Sequence, residues 1–205
     1  MSTWEKILCE ALSLFSAYGY EAVTIRQIAS AVGIRESSVY NHFKNKRDIL
    51  DSIVEQASAR YEQIMQRLQI SQLDGSVSSL YDNIDVNDFL ELCLYIFTIG
   101  FKDDYLAKFR RLLTIEQYAH RELGILFKKI YIDDVLDTLV KVLQKLINNG
   151  KFPPGDVKSM AVQFYAPIFL LLYKYDGEAL LGDGAIQDLK MHFRHCMDLY
   201  GFRYE

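Results

Sequence analysis

Between Thr24 and Arg47 the chain sets Arg26, Arg35, Lys44, Lys46 and Arg47 against a single acid, Glu36. Cations at this density suit a polyanion, because each one that meets a phosphate displaces a condensed counterion. The whole chain has a formal charge of −4, so this local net of +4 leaves −8 on the rest. A basic island on an acidic body points to a nucleic-acid partner that net charge alone would argue against. Within it, Lys46 follows Asn45 at the start of a helix, where an ammonium and free backbone N–H groups can converge on one phosphate. Arg26 can grip a guanine edge with two hydrogen bonds.

Other candidate chemistry is weaker. His192, His195 and Cys196 have the i, i+3, i+4 spacing that puts three metal ligands on one helical face. One helix supplies no fourth ligand, so polar residues flanking an apolar stripe are the expected reading, and no metal is. Cys93 has apolar flanks, which favour a buried, inert thiol over a redox sensor. The chain contains no G-x-S-x-G elbow, Walker loop, G-x-G-x-x-G or H-E-x-x-H motif, so neither an enzyme nor a cofactor is expected.

The elements that must position the basic island are helices. Half of the 205 residues are hydrophobic and 13% are aromatic, enough for a sizeable core. All three prolines, Pro153, Pro154 and Pro167, lie in the last quarter, so nothing interrupts helix formation earlier on steric grounds. Ser2 with Glu5, Thr24 with Gln27, and Asn45 with Asp48 have capping-box spacing and mark three helix starts. Glycines mark most stops, with Gly124 falling inside a helical stretch. The pattern predicts helices over 3–18, 25–31, 36–43, 46–70, 86–100, 103–118, 121–149, 156–175 and 185–200, a polar loop over 71–85, and no sheet. Pro167 should kink its helix. The expected fold is all-α with about nine helices. No apolar run is long enough to span a membrane, no signal peptide leads the chain, and three unpatterned cysteines fit reduced thiols; a cytoplasmic protein is expected.

Residues 25–43 read as two short helices joined by a tight turn. Ala29 must be small where the second helix crosses, Gly33 can take the positive φ of the turn, and Val39 packs into the angle, with Ile28, Ile34 and Phe43 around them. This constellation, within the string GYEAVTIRQIASAVGIRESSVYNHFKNKRDIL from Gly19 to Leu50, resembles the tetracycline-repressor-like (TetR/AcrR) family of bacterial regulators. The resemblance implies a three-helix DNA-binding domain over residues 1–47 and a larger helical ligand-binding and dimerisation domain over 48–205. It implies that the helix from Ser37 to His42 enters the major groove. Thr24, Tyr40, His42 and Lys46 match phosphate-contacting positions, and Arg26, Glu36, Ser37 and Ser38 match positions that reach bases. Arg35 departs from the family's usual Ser or Thr cap, and Glu36 beside it would suit a cytosine amino group while repelling phosphates.

For the larger domain, the aromatic segment 86–175 offers pocket candidates in Phe89, Cys93, Phe97, Glu116, Tyr118, Phe127, Tyr131 and Phe164, suited to an apolar or aromatic effector. Glu116 beside Tyr118 would suit a cation. Two stripes with spacings of three and four, Phe164, Ile168, Leu171, Leu172 and Tyr175, then Ile186, Leu189, Phe193, Met197 and Tyr200, can be buried in the chain's own core. The resemblance favours pairing with their copies in a four-helix bundle, giving a homodimer on double-stranded operator DNA. The function so implied is a ligand-responsive transcriptional regulator, most simply a repressor released by its effector. The alternative is a helical adaptor or small-molecule-binding protein that has lost DNA binding, against which Arg26, Tyr40, His42 and Lys46 argue.

Overall fold

The computed structural model describes residues 1–68, 84–177 and 182–201, and these are helical with no strand among them. The helices are α1 (Thr3–Tyr18), α2 (Ile25–Val32), α3 (Glu36–Val39), α4 (Lys46–Arg67), α5 (Val86–Lys102), α6 (Asp104–Glu116), α7 (Arg121–Lys128), α8 (Asp134–Asn148), α9 (Val157–Lys174) and α10 (Asp183–Leu199), with a π turn at Lys129–Asp133. The π turn joins α7 to α8 without a break, so the described residues make nine continuous helical stretches. Nearly all of the expected 71–85 loop lies outside the described residues.

Two compact units emerge, one of Met1–Ile64 with Asp104–Lys128 and one of Met65–Asp103 with Lys129–Glu205. In the first, α1 starts from a reciprocal capping box. The Ser2 hydroxyl accepts the Glu5 N–H at 3.2 Å and the Glu5 carboxylate accepts the Ser2 N–H at 2.6 Å. Ile7, Leu8, Ala11, Leu12 and Phe15 recur along one face of α1 and are buried, as are Leu106, Phe109, Leu112 and Leu113 of α6. These faces pack on each other, and α2 and α7 close on α1 and α6 respectively. Each large side chain buried this way contributes roughly 1.5–3 kcal/mol. Ile49, Leu50, Ile53 and Ala57 line the buried face of α4. A reader built on residues 1–47 alone would therefore lack the apolar face of α6 on which α1 packs.

Gly124 lies inside α7, and a Cβ built there would stand 2.5 Å from the Gln117 carbonyl oxygen. Glycine is required because the backbones of α7 and the end of α6 touch.

The second unit has one core, to which α5 gives Phe89, Leu90 and Phe97, α8 gives Leu139, Val142, Leu143 and Leu146, α9 gives Phe164, Ile168, Leu171 and Leu172, and α10 gives Leu189, Phe193 and Met197. The stretch read from sequence as one helix over 121–149 widens at Lys129–Asp133. A π turn shifts the backbone register, and the Tyr131 carbonyl there accepts the Tyr165 hydroxyl at 2.7 Å. Pro167 lies within α9, where it withholds the amide that would bond the Gln163 carbonyl.

Candidate nucleic-acid interface

Local sequence explains each turn of the basic island. Thr24 caps α2: its hydroxyl accepts the Gln27 N–H, and the Gln27 side chain accepts the Thr24 N–H at 2.8 Å. Gly33 ends α2 in the left-handed region, φ 79° and ψ 31°, with no atom near its missing Cβ. It is needed for conformation rather than for space. The Ile34 N–H then donates to the Ala29 carbonyl at 3.0 Å, and the chain enters α3 through Arg35, which makes no side-chain cap. Ala29 and Val39 are buried as the helix-turn-helix spacing demands. The second helix is shorter than its expected span of 36–43. After Val39 the bonds tighten, Asn41 N–H to Ser38 and His42 N–H to Val39, and this brings Phe43 back to stack on Trp4 at 5.9 Å.

On the outer surface Thr24, Arg26, Glu36, Ser37, Tyr40 and His42 are all exposed, and Ser38 is half-buried. Arg35 and Lys44 are exposed beside them. Helices α2 and α3 and the turn after α3 therefore present hydroxyls, a phenol, an imidazole and cations on an apolar footing.

Two cations of the island serve the fold. The Arg47 guanidinium bonds Asp51 at 2.8 Å and Glu122 at 2.7 Å. That pairing holds the Glu122 carboxyl below its usual range. The Lys46 ammonium donates to the carbonyls of Tyr20 at 2.9 Å, Val23 at 3.1 Å and Glu21 at 3.4 Å, and lies 4.2 Å from the centre of the Tyr20 ring. All three of its protons have acceptors. The phosphate contact implied by resemblance thus falls on an ammonium that already ties the Gly19–Val23 turn to α4.

The same turn is held from its other side by a residue first considered for an effector pocket. Glu116, only 4% exposed, accepts the Tyr20 N–H on Oε1 at 2.7 Å. Its Oε2 lies 3.2 Å from His120 Nε2. Spacing carries half a signal for this, since His120 is four residues beyond Glu116. Nothing links either residue to Tyr20, almost a hundred positions earlier.

The pocket candidates are drawn from both units. Phe89, Cys93, Phe97, Tyr131 and Phe164 belong to the second unit, while Glu116, Tyr118 and Phe127 belong to the first. Tyr118 is 92% exposed. It sits in the turn after α6, where the helix has ended and no longer aims it at the buried face. The cation site imagined between Glu116 and Tyr118 is therefore not formed. Burial pushes the Cys93 thiol far above its ordinary value. Cys196 is pushed up to about 11 by burial; His192 Nε2–H donates to the Phe164 carbonyl at 2.8 Å, and its Nδ1 lies 3.6 Å from the Cys196 sulfur. His195 is exposed, apart from that pair.

The arrangement is that of a helix-turn-helix reader. Residues 7–53 match the model of bacterial regulatory proteins, tetR family. The chain is 25% identical over 193 residues to IcaR, the biofilm operon icaADBC HTH-type negative transcriptional regulator of Staphylococcus aureus, covering 93% of this chain and 92% of the relative. It is 39% identical over 51 residues to the class C tetracycline repressor of Escherichia coli, covering 25% of this chain and 23% of that protein. Among solved structures it resembles SmeT, the repressor of the Stenotrophomonas maltophilia multidrug efflux pump SmeDEF. The TM-score is 0.62 at 24% identity, over 98% of this chain and 91% of the other. SmeT is also solved as a triclosan complex. No described helix is long and apolar enough to cross a membrane.

Proposed function

We propose that this protein is a ligand-responsive, sequence-specific DNA-binding regulator that represses transcription until a small molecule binds its second unit. The observation that carries the reading is the exposed surface of α2, α3 and the turn after α3, with Arg26, Ser37, Tyr40 and His42 standing on a buried footing that includes Ala29 and Val39. The full-length likeness to IcaR, a negative regulator by name, supports repression, and the triclosan complex of SmeT supports an apolar or aromatic effector. Phe89, Phe97, Tyr131 and Phe164 are the candidates for effector contacts. Binding can act only through different affinities for two states of the protein. The division of labour, residues 1–47 for DNA and 48–205 for effector and pairing, belongs to this proposal, as do a cytoplasmic location and the absence of catalysis.

Selection of genomic fragments by the purified full-length protein tests the reading. Recovery of a common, two-fold symmetric site is the expected outcome, and binding with no preference over random duplex would overturn it. On the recovered site, Arg26→Ala should relax preference at one base position by about 1–3 kcal/mol. His42→Ala should weaken all duplexes alike. Titrations against a site library separate the two effects.

Pairing through α9 and α10 remains the proposal, on a different set of residues. Phe164, Ile168, Leu171, Leu172, Leu189, Phe193 and Met197 are buried in the unit's own core, with Tyr175, Ile186 and Tyr200 at its margin. Apolar residues are left exposed eight apart on each helix, Val162 with Leu170 at 64% exposure on α9 and Met191 at 63% with Leu199 on α10. A second copy of the chain is the proposed cover, since a two-fold operator needs two readers. Leu170→Glu should leave the monomer folded and shift the protein to monomers at micromolar concentration in sedimentation equilibrium.

A further inference from the structure

Two of the five cations in the basic island are committed to the fold. The Lys46 side chain is 22% exposed, with its ammonium on the carbonyls of Tyr20, Glu21 and Val23 and over the Tyr20 ring. Charge-assisted hydrogen bonds are roughly twice as strong as neutral ones. Moving this ammonium out to a phosphate would exchange three of them for one contact that salt screens. It would also take a donor from the carbonyl of Val23, a residue only 1% exposed. Arg47 is likewise neutralised, by Asp51 of α4 and Glu122 of α7. Arg26, Arg35 and Lys44 stay available, all exposed and with no acid partner among the described residues.

Lys44 differs from the other two in how firmly its backbone is placed. On one side Phe43 donates its N–H to the Val39 carbonyl at 3.0 Å and turns inward, 3% exposed, to stack on Trp4. On the other side the Lys44 N–H donates to Asp48 Oδ2 at 2.9 Å, and the Asp48 N–H donates to the Asn45 side chain at 2.9 Å. The peptide of Lys44 is thus pinned between the end of the turn after α3 and the first turn of α4. Its ammonium is not pinned. Asp48 meets the amide of Lys44 and leaves the charge at the end of the stem unpaired.

We infer that Lys44, and not Lys46, makes the phosphate contact at the entrance to α4. The inference rests on the DNA-binding reading above and deepens it by moving one contact to a different residue. Arg26 stands in the first turn of α2 and Arg35 just ahead of α3, whereas Lys44 comes two residues after His42 and two before Lys46. Among the available cations it is the nearest along the chain to the position from which Lys46 was expected to reach DNA. An ammonium on a flexible stem suits this task, because a point charge meets a phosphate oxygen from many directions. Such a contact fixes where the reader sits on the duplex and carries no base preference.

The test uses the purified full-length protein and its selected genomic fragment. Lys44→Met keeps the stem, removes the charge and should leave the denaturation midpoint where it is, since the side chain is exposed. The salt slope of its binding should fall by about 0.9 for each reader on the DNA. Raising salt from about 50 to about 200 mM should then cost a two-reader complex of the variant about twelvefold less affinity than it costs the wild type. Replacing single phosphates of the fragment by neutral methylphosphonates locates the contact. One position in each half-site should cost the wild type about fivefold, the upper range for an exposed ion pair, and cost Lys44→Met nothing. The same replacement should cost Lys46→Met as much as it costs the wild type. An unchanged slope in Lys44→Met, or a methylphosphonate cost that vanishes in Lys46→Met instead, would overturn the inference alone. A wild type that binds no duplex would sink the DNA-binding reading and this inference with it.

Discussion

Lys46→Met should destabilise the protein by about 2–3 kcal/mol and weaken its binding to every duplex, operator or not. An ammonium at the first residue of α4 sits at the positive end of that helix, where a cation is ordinarily disfavoured. Its presence there is explained by what it touches: the carbonyls of Tyr20, Glu21 and Val23 and the face of the Tyr20 ring. Hydrogen bonds to a charged group contribute about 1.5–3 kcal/mol each when buried, and this site is only partly so, which sets the total near the value of a single one. A methionine preserves the stem and removes all three donors. Two measurements distinguish this role from direct phosphate contact. Loss of one phosphate contact would lower the salt slope of binding by about 0.9 per protomer with unchanged stability. Loss of a positioning residue lowers the denaturation midpoint and the affinity while leaving the slope in place. A smaller slope on a fully stable variant would return Lys46 to the phosphate backbone.

The contrast shows where reading from sequence succeeds. Caps are local, so Ser2 with Glu5 and Thr24 with Gln27 are visible as letters three apart, and both boxes are formed. Asn45 and Asp48 are a variant: the Asp48 N–H donates to the Asn45 side chain, but the Asp48 carboxylate reaches the Lys44 N–H instead. Ala29, Gly33 and Val39 make steric demands that only a helix-turn-helix meets together. Apolar period says that a face is covered without saying by what. The stripe from Phe164 to Met197 suits a partner subunit as well as it suits the core that in fact holds it. Glu116 shows a deeper limit. A carboxylate among aromatic residues reads as a ligand contact, and its real partner is a backbone amide that only the packing of α1 on α6 brings near. The π turn leaves no trace in composition, because it is a change of register rather than of residue type.

Gly124→Ala should destabilise the first unit by about 2 kcal/mol, against the usual direction of this substitution. In an ordinary helix interior alanine is preferred over glycine by about 1 kcal/mol, so a neutral site would become more stable. Here the added Cβ would stand 2.5 Å from the oxygen, 3.4 Å from the carbonyl carbon and 3.6 Å from the Cα of Gln117. Those atoms are backbone and cannot turn aside as a side-chain tip would. Relief requires α7 to move away from the end of α6, and overpacking of this kind costs about 1–3 kcal/mol or more, which outweighs the propensity gain. The movement would carry Leu123 and Phe127 out of their buried positions and draw Glu122 from Arg47. It would also displace His120, whose carbonyl accepts the Gly124 N–H at 3.0 Å. At about 2–4 °C per kcal/mol for a chain of this size, the melting temperature should drop by about 4–8 °C. Gly184→Ala in the first turn of α10 supplies the comparison, because its Cβ would meet the Tyr175 hydroxyl at an ordinary 3.6 Å. That variant should match or exceed the wild type. Equal gains in both variants would mean that α6 and α7 part freely, and the close backbone contact would then contribute nothing to holding His120 and Glu116 against the reader.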